Sequence, residues 1–169
     1  MADANDHLND WLRDAHAMEE QAETMLKAQA ARLEHYPKLK ARIEQHIGET
    51  QAQAEALGRC IDRRGASTSV VKDAAGKVMA SAQGFVGMFA TDEVVKGGMA
   101  SYAFEHFEIA AYTALVAAAR HVGDQETAEV CERILREERS MADWLASNLD
   151  EVTVQYLQRS ATPGEPAKR

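Results

Sequence analysis

Apolar residues recur at intervals of three and four along most of the chain, the spacing of one face of an α-helix. Leu8, Leu12, Met18, Met25, Leu26 and Leu33 predict a first helix from about Asp3 to Glu34. Tyr36-Pro37 breaks it, since proline suits the first turn of a new helix better than the middle of an old one. Leu39, Ile43, Ile47, Leu57 and Ile61 then predict a second helix from about Lys38 to Arg64, ended by Gly65-Ala66-Ser67-Thr68. The stretch from Val70 to Phe89 keeps a helical pattern weakened by Gly76, Gly84 and Gly87, and reads as a shorter crossover helix.

Thr91 or Asp92 is placed to cap a further segment, interrupted at Gly97-Gly98, that leads into a third long helix ending at His121. Val122-Gly123-Asp124 is a tight turn. Ala128, Val130, Ile134, Leu135, Met141 and Leu145 then give a fourth helix from about Gln125 to Leu149, with a short helical end over Val152 to Leu157. Residues 1–160 thus read as one bundle, and 161–169 as a polar tail expected to be disordered. Two long helical hairpins joined by a crossover are the layout of an all-α, ferritin-like four-helix bundle.

Composition agrees with this and narrows the function. The chain has 169 residues, 46% of them hydrophobic and 27% charged, enough for one domain with a proper core. Its net charge of −8 argues against nucleic acid or an anionic membrane as partner and favours cations. The N-terminus lacks a basic region followed by an apolar run, so no signal peptide is expected. The longest apolar run, Ile109 to Ala119, is far shorter than the ~20 residues of a membrane span. The expectation is a cytoplasmic protein. Cys60 and Cys131 stand apart with no metal-site spacing, and are expected to pack as inert apolar residues.

The third helix carries the chemistry. Ser101 to Ala119 is alanine-rich and apolar on nearly every side, yet holds Glu105 and Glu108 with no Lys or Arg beside them. The two acids are three apart and share a helical face. A buried carboxylate costs several kcal/mol unless a cation or a metal ion meets it. Position in the hairpins suggests which other acids join them. Glu19 and Glu49 lie about equally far from the Tyr36-Pro37 break, as do Glu105 and Glu138 from the turn at Gly123. At a rise of about 1.5 Å per residue, all four sit ~22 to 25 Å from their turns. One glutamate per long helix can therefore share a layer, and Glu108 fits opposite Glu138 equally well.

Such a layer suits a dinuclear carboxylate centre, because two divalent ions need about four to six hard oxygen donors from facing helices. The expected ligands are Glu19, Glu49, Glu105, Glu108 and Glu138, around two metal ions, with iron the first candidate and manganese the second. His46, three before Glu49, is either a nitrogen ligand or a satisfied core histidine. Tyr112, one turn beyond Glu108, either bonds a ligand or is a core tyrosine. Gln53, one turn from Glu49, is placed to support the ligands from outside. His106 points roughly 100° away from Glu105, which favours a supporting or structural role. His7, His16, His35 and His121 read as surface or helix-end residues.

These residues also carry a resemblance. Asp14 to Gln21, then His46, Glu49, Thr50 and Gln53, then Glu105-His106-x-Glu108-Ile109-Ala110-x-Tyr112-x-x-Leu115, then Leu135-x-Glu137-Glu138 resemble the YciE/YciF-type bacterial stress proteins, a branch of the ferritin-like superfamily. The resemblance covers roughly residues 5 to 148. It implies a ferritin-like bundle with a dinuclear metal centre, and a homodimer. One departure stands out. Many di-iron bundles place a histidine three after the glutamate of the second and fourth helices. Here those positions hold Ala52 and Met141. A site built mostly of oxygen donors selects less sharply between iron and manganese. Two readings follow: a di-iron protein that oxidises Fe(II) with oxygen or peroxide, or a structural, dimerising or partner-binding protein that uses the metal, if any, only for stability, the layer being otherwise satisfied by buried cations and protons.

Overall fold

The computed structural model describes residues 2–66 and 94–167. Within them the chain forms four long helices: α1 (Ala4–Ala30), α2 (Pro37–Arg63), α3 (Val94–His121) and α4 (Gln125–Ala161). The expected crossover helix lies outside the described residues. Helices α1 and α2 form one hairpin and α3 and α4 another, with α1 laid against α3 and α2 against α4. The expected all-α four-helix bundle is what forms.

The helix ends follow local chemistry. Asp3 caps α1 by accepting from the backbone N–H groups of Asn5 and Asp6, while Asp6 accepts from the Asp3 N–H in return. Pro37 opens α2, where its missing N–H costs nothing. Gly123, at φ 78°, makes the turn into α4, which Asp124 caps by accepting from the Thr127 N–H.

Three boundaries differ from the sequence reading. Helix α1 stops at Ala30, because Arg32 and Leu33 donate to Gln29 and Ala30 in tightened turns that swing Leu33 and Tyr36 into the core. Helix α3 runs unbroken through Gly97 and Gly98. A Cβ on Gly98 would stand 3.1 Å from Leu149, and one on Gly97 would stand 3.2 Å from Gln29. Those glycines let α3 approach its neighbours closely. Helix α4 continues to Ala161 as one element, since nothing between Leu149 and Ser160 breaks a helix and Val152 and Tyr156 extend its apolar stripe. Beyond it, the Tyr36 hydroxyl donates to the Ala167 carbonyl at 2.5 Å.

The core falls into two apolar clusters. Leu8, Leu12, Met18, Leu57, Ile61, Leu115 and Ile134 belong to the cluster at one end of the bundle. Leu26, Tyr36, Leu39, Ile43, Met141 and Leu145 belong to the other. Each long helix passes from one cluster to the other through a buried polar position: Glu19 on α1, His46, Thr50 and Gln53 on α2, Glu105 and Glu108 on α3, Glu138 on α4. The polar layer is thus sealed between two hydrophobic plugs. No described helix is long and apolar enough to cross a membrane.

Candidate metal centre

The four-helix arrangement brings Glu19, Glu105, Glu108 and Glu138 inside, each no more than 2% exposed. His46, 1% exposed, lies among them. One ligand atom each from His46, Glu105, Glu108 and Glu138 can be chosen so that all four lie within 4.8 Å of one another. The two acids of α3 meet the acid of α4 and the histidine of α2. A buried group of His and Glu side chains able to hold a metal ion is therefore present.

Three of these side chains, His46, Glu138 and Glu19, are held from outside the cluster. His46 Nδ1 lies 2.7 Å from Glu49 Oε2, which directs Nε2 inward, 3.3 Å from Glu105 and 3.4 Å from Glu138. Gln53 Nε2 donates to Glu138 Oε1 at 2.6 Å and to Glu137 Oε2 at 2.9 Å. The Tyr112 hydroxyl, fully buried, donates to Glu19 Oε1. Of the supporting residues, Gln53 and Tyr112 were visible in the sequence as one-turn neighbours. Arg42 was not. Its guanidinium reaches Glu49 Oε2 at 3.2 Å from seven residues away, a separation that falls two turns along the helix.

Glu49 takes a different place from the other glutamates. Its side chain is 23% exposed, and it faces His46, Gln45 and Arg42 at the open edge of the layer. The equal-distance argument sets its level along α2 but not its rotation about the helix axis, and it is His46 that points to the centre. His106 is exposed on the far side of α3, edge-on to Tyr102 at 4.6 Å. His16 is half-buried on α1, 3.8 Å from Glu20.

Electrostatics sharpen the picture. Burial raises the Glu19 and Glu108 carboxyls well above the usual carboxylate range, and the nearby Glu138 raises both further. Glu105 is pushed up to about 7, mainly by burial, with His46 opposing the shift. Burial alone would lower His46, but the carboxylates of Glu105, Glu138 and Glu49 outweigh it and raise the imidazole to about 12. Glu49, bonded to that imidazole, falls to about 2. Without a metal, the layer thus gathers around one internal cation, His46, while burial favours the protonated forms of Glu19 and Glu108.

That arrangement leaves oxygens over. Glu19 Oε2, Glu105 Oε2, Glu108 Oε1 and Glu138 Oε2 are all buried without a well-formed hydrogen bond among the described residues, Glu105 Oε2 and Glu138 Oε2 having only the longer ion-pair contacts to His46 Nε2. Native interiors rarely tolerate so many orphaned acceptors in one place. The donor set, four carboxylates and one imidazole, is hard and anionic, and suits divalent cations of the iron and manganese kind. The residues present therefore fit a metal centre. The two cysteines take no part: both are buried and unpaired by disulfide, and burial raises both thiols, Cys131 to about 12.

Residues 3–158 match the family described as Domain of unknown function (DUF892). The chain belongs to the DUF892 family. A crystal structure of a protein from Xanthomonas campestris is 44% identical, with a TM-score of 0.80, over 95% of this chain and 100% of that one. The Escherichia coli stress protein YciF is 20% identical with a TM-score of 0.71, over 88% of this chain and 96% of its own. YcfI of Rhodopseudomonas palustris is 24% identical with a TM-score of 0.69, over 86% of this chain and 94% of its own. At those identities the last two support the fold alone. The resemblance read from Glu105-His106-x-Glu108 and its companions is borne out.

Proposed function

We propose that this DUF892 protein binds two metal ions, iron in the first instance, in the polar layer between its two apolar clusters. Glu19, Glu105, Glu108, Glu138 and His46 would hold them, with Glu49 at the open edge fixing His46. The observation that carries this reading is four buried carboxylates gathered around one imidazole, with Glu19 Oε2 and Glu108 Oε1 left without any polar partner among the described residues. One imidazolium reaches only the Glu105 and Glu138 oxygens, at 3.3 and 3.4 Å, and protons would have to relieve the remaining charge; divalent cations would engage all four carboxylates.

Iron held there would supply one-electron chemistry toward oxygen or peroxide, which is the protective reading of the site. The chain's own residues do the rest. Tyr112 and Gln53 fix Glu19 and Glu138, Glu49 fixes the tautomer of His46, and the two apolar clusters keep bulk water out. Anaerobic Fe(II) titration followed by oxygen, watched by absorbance, tests the reading. Saturation at two ions followed by ferric absorption supports it. Saturation without oxidation favours the structural role, in which the ions only stabilise the bundle. The absence of saturable binding refutes the metal centre and leaves the structural role without a metal.

A homodimer in the cytoplasm belongs to the same proposal. Met99 and Phe107, each about half exposed on α3, are apolar side chains that such a dimer would cover (49% and 46% exposed). Sedimentation velocity on the wild type and on Phe107→Glu tests it: a dimer that the variant weakens supports the assignment, and a monomeric wild type overturns it.

A further inference from the structure

Between α1 and α3 a narrow crevice runs inward to the carboxylates. It is lined by Ala22, Met25 and Leu26 on one side and Phe104 on the other, and it ends on Glu105 and Glu108. Its enclosed space is about 10 Å³, room for one water-sized molecule. At its outer part sit Gln29 and Ser101, the Ser101 hydroxyl donating to Gln29 Oε1 at 2.9 Å. Gln29 Nε2 is buried with no acceptor among the described residues. That amide rests over Gly97, where a Cβ would come within 3.2 Å of it. The sequence thus keeps a glycine on α3 opposite the amide and leaves the amide a hydrogen bond short, where an apolar pair would have closed the gap.

We propose that this crevice is the route by which a small uncharged molecule, of one or two heavy atoms, reaches the Glu105–Glu108 side of the layer. The inference rests on the metal-binding reading for its purpose, but not for its geometry. The lining excludes other traffic. A hydrated divalent ion is far larger than the space and strongly hydrated, and the walls are aliphatic and aromatic with no ionised group before the two glutamates. A molecule that needs no counter-charge passes such walls at little cost. The unsatisfied Gln29 N–H and the Ser101 hydroxyl offer it a brief polar foothold on the way in.

Dissolved dioxygen is the probe, and the metal-free full chain is the sample. Oxygen is paramagnetic, so at raised oxygen pressure it enhances the relaxation of methyl protons wherever it lodges. The methyl groups of Ala22 and Leu26 should relax several-fold faster than those of Val116 and Leu135, which are slightly more exposed (8% each) but do not line the crevice. Ser101→Leu, which fills the outer part of the crevice, should abolish the excess. Gln29→Ala, which opens it, should increase the excess and controls for any disturbance of packing by the larger residue. Equal enhancement at both sets of methyls, or an excess indifferent to both substitutions, overturns the proposal. Either result would leave metal binding untouched, because that is read by titration, so the two ideas fail separately.

Discussion

His46 Nδ1 and Glu49 Oε2 lie 2.7 Å apart, one turn along the same helix, and this contact decides which face of the imidazole meets the buried acids. Glu49 stands in partial contact with solvent while His46 is sealed. One end of the pair belongs to the surface and the other to the centre. Replacing Glu49 by Gln keeps the shape but removes the charge that orients and polarises the ring. Metal affinity should fall about 10–100-fold, the usual effect of removing a ligand's outer partner. Glu105→Gln, which alters a carboxylate inside the layer, should cost more. Calorimetric titration of both variants ranks them, and a Glu49→Gln loss equal to or larger than that of Glu105→Gln would contradict the placement of Glu49 at the edge.

The metal-free protein should lose stability as pH rises from about 4.5 to beyond 7. Glu105 has its folded-state pKa raised from 4.5 to about 7, so folding favours the proton. That contribution is fully present below 4.5 and disappears as pH passes 7. Glu19 and Glu108 act in the same direction. His46, raised from 6.5 to about 12, adds a loss that begins above about 6.5. Glu49 and Asp124 act in the opposite sense, but both are lowered to about 2, and their effect is complete once pH exceeds the ordinary carboxylate range. Urea unfolding at several pH values between 5 and 8 measures the slope. A divalent metal should flatten or reverse it, because binding replaces protons on the same groups and its affinity rises with pH.

Tyr112→Phe removes the donor to Glu19 without changing the shape of the core. A buried acceptor left unpaired costs roughly 1–3 kcal/mol, and the metal-free variant should lose about that much in urea unfolding. Gln53→Ala should cost as much or more, since it frees Glu138 Oε1 and also leaves a cavity. Saturating metal should recover part of the loss in both. A Tyr112→Phe variant as stable as the wild type would mean that the hydroxyl is not holding Glu19.

Gly98→Val tests the close contact of α3 with α4. The new side chain would begin 3.1 Å from Leu149 Cδ1, and overpacking of this kind costs about 1–3 kcal/mol. Thermal unfolding reads the effect. A neutral substitution would show that Gly98 is tolerated in the helix and not required for the approach.

The helices and their pairing were legible because each carries a long apolar stripe with a clear break, as at Tyr36-Pro37 and Val122-Gly123. Glu105 and Glu108 were legible because the apolar stretch around them, Ser101 to Ala119, holds no Lys or Arg to neutralise them. Glu19 and Glu138 sit amid other charges, at Glu20 and Glu137, and only their height in the hairpins singled them out. Height does not fix rotation, which is why the sequence put Glu49 ahead of His46 as a ligand, whereas the packing turns His46 to the centre and Glu49 to its edge. The Gly97-Gly98 pair misled in a similar way. Propensity reads glycines as a break, whereas close packing against Gln29 and Leu149 makes them part of the helix. Arg42 and the Gln29–Ser101 pair arise from contacts within and between helices that residue type alone does not announce.

The most direct measurement is elemental analysis of protein purified without added metal, beside a Glu105→Ala/Glu138→Ala double variant shown to be folded by circular dichroism. Two metal ions per chain in the wild type, absent from the variant, is the expected result. A metal content unchanged by removing those two acids would place any bound ion elsewhere and contradict the proposed centre.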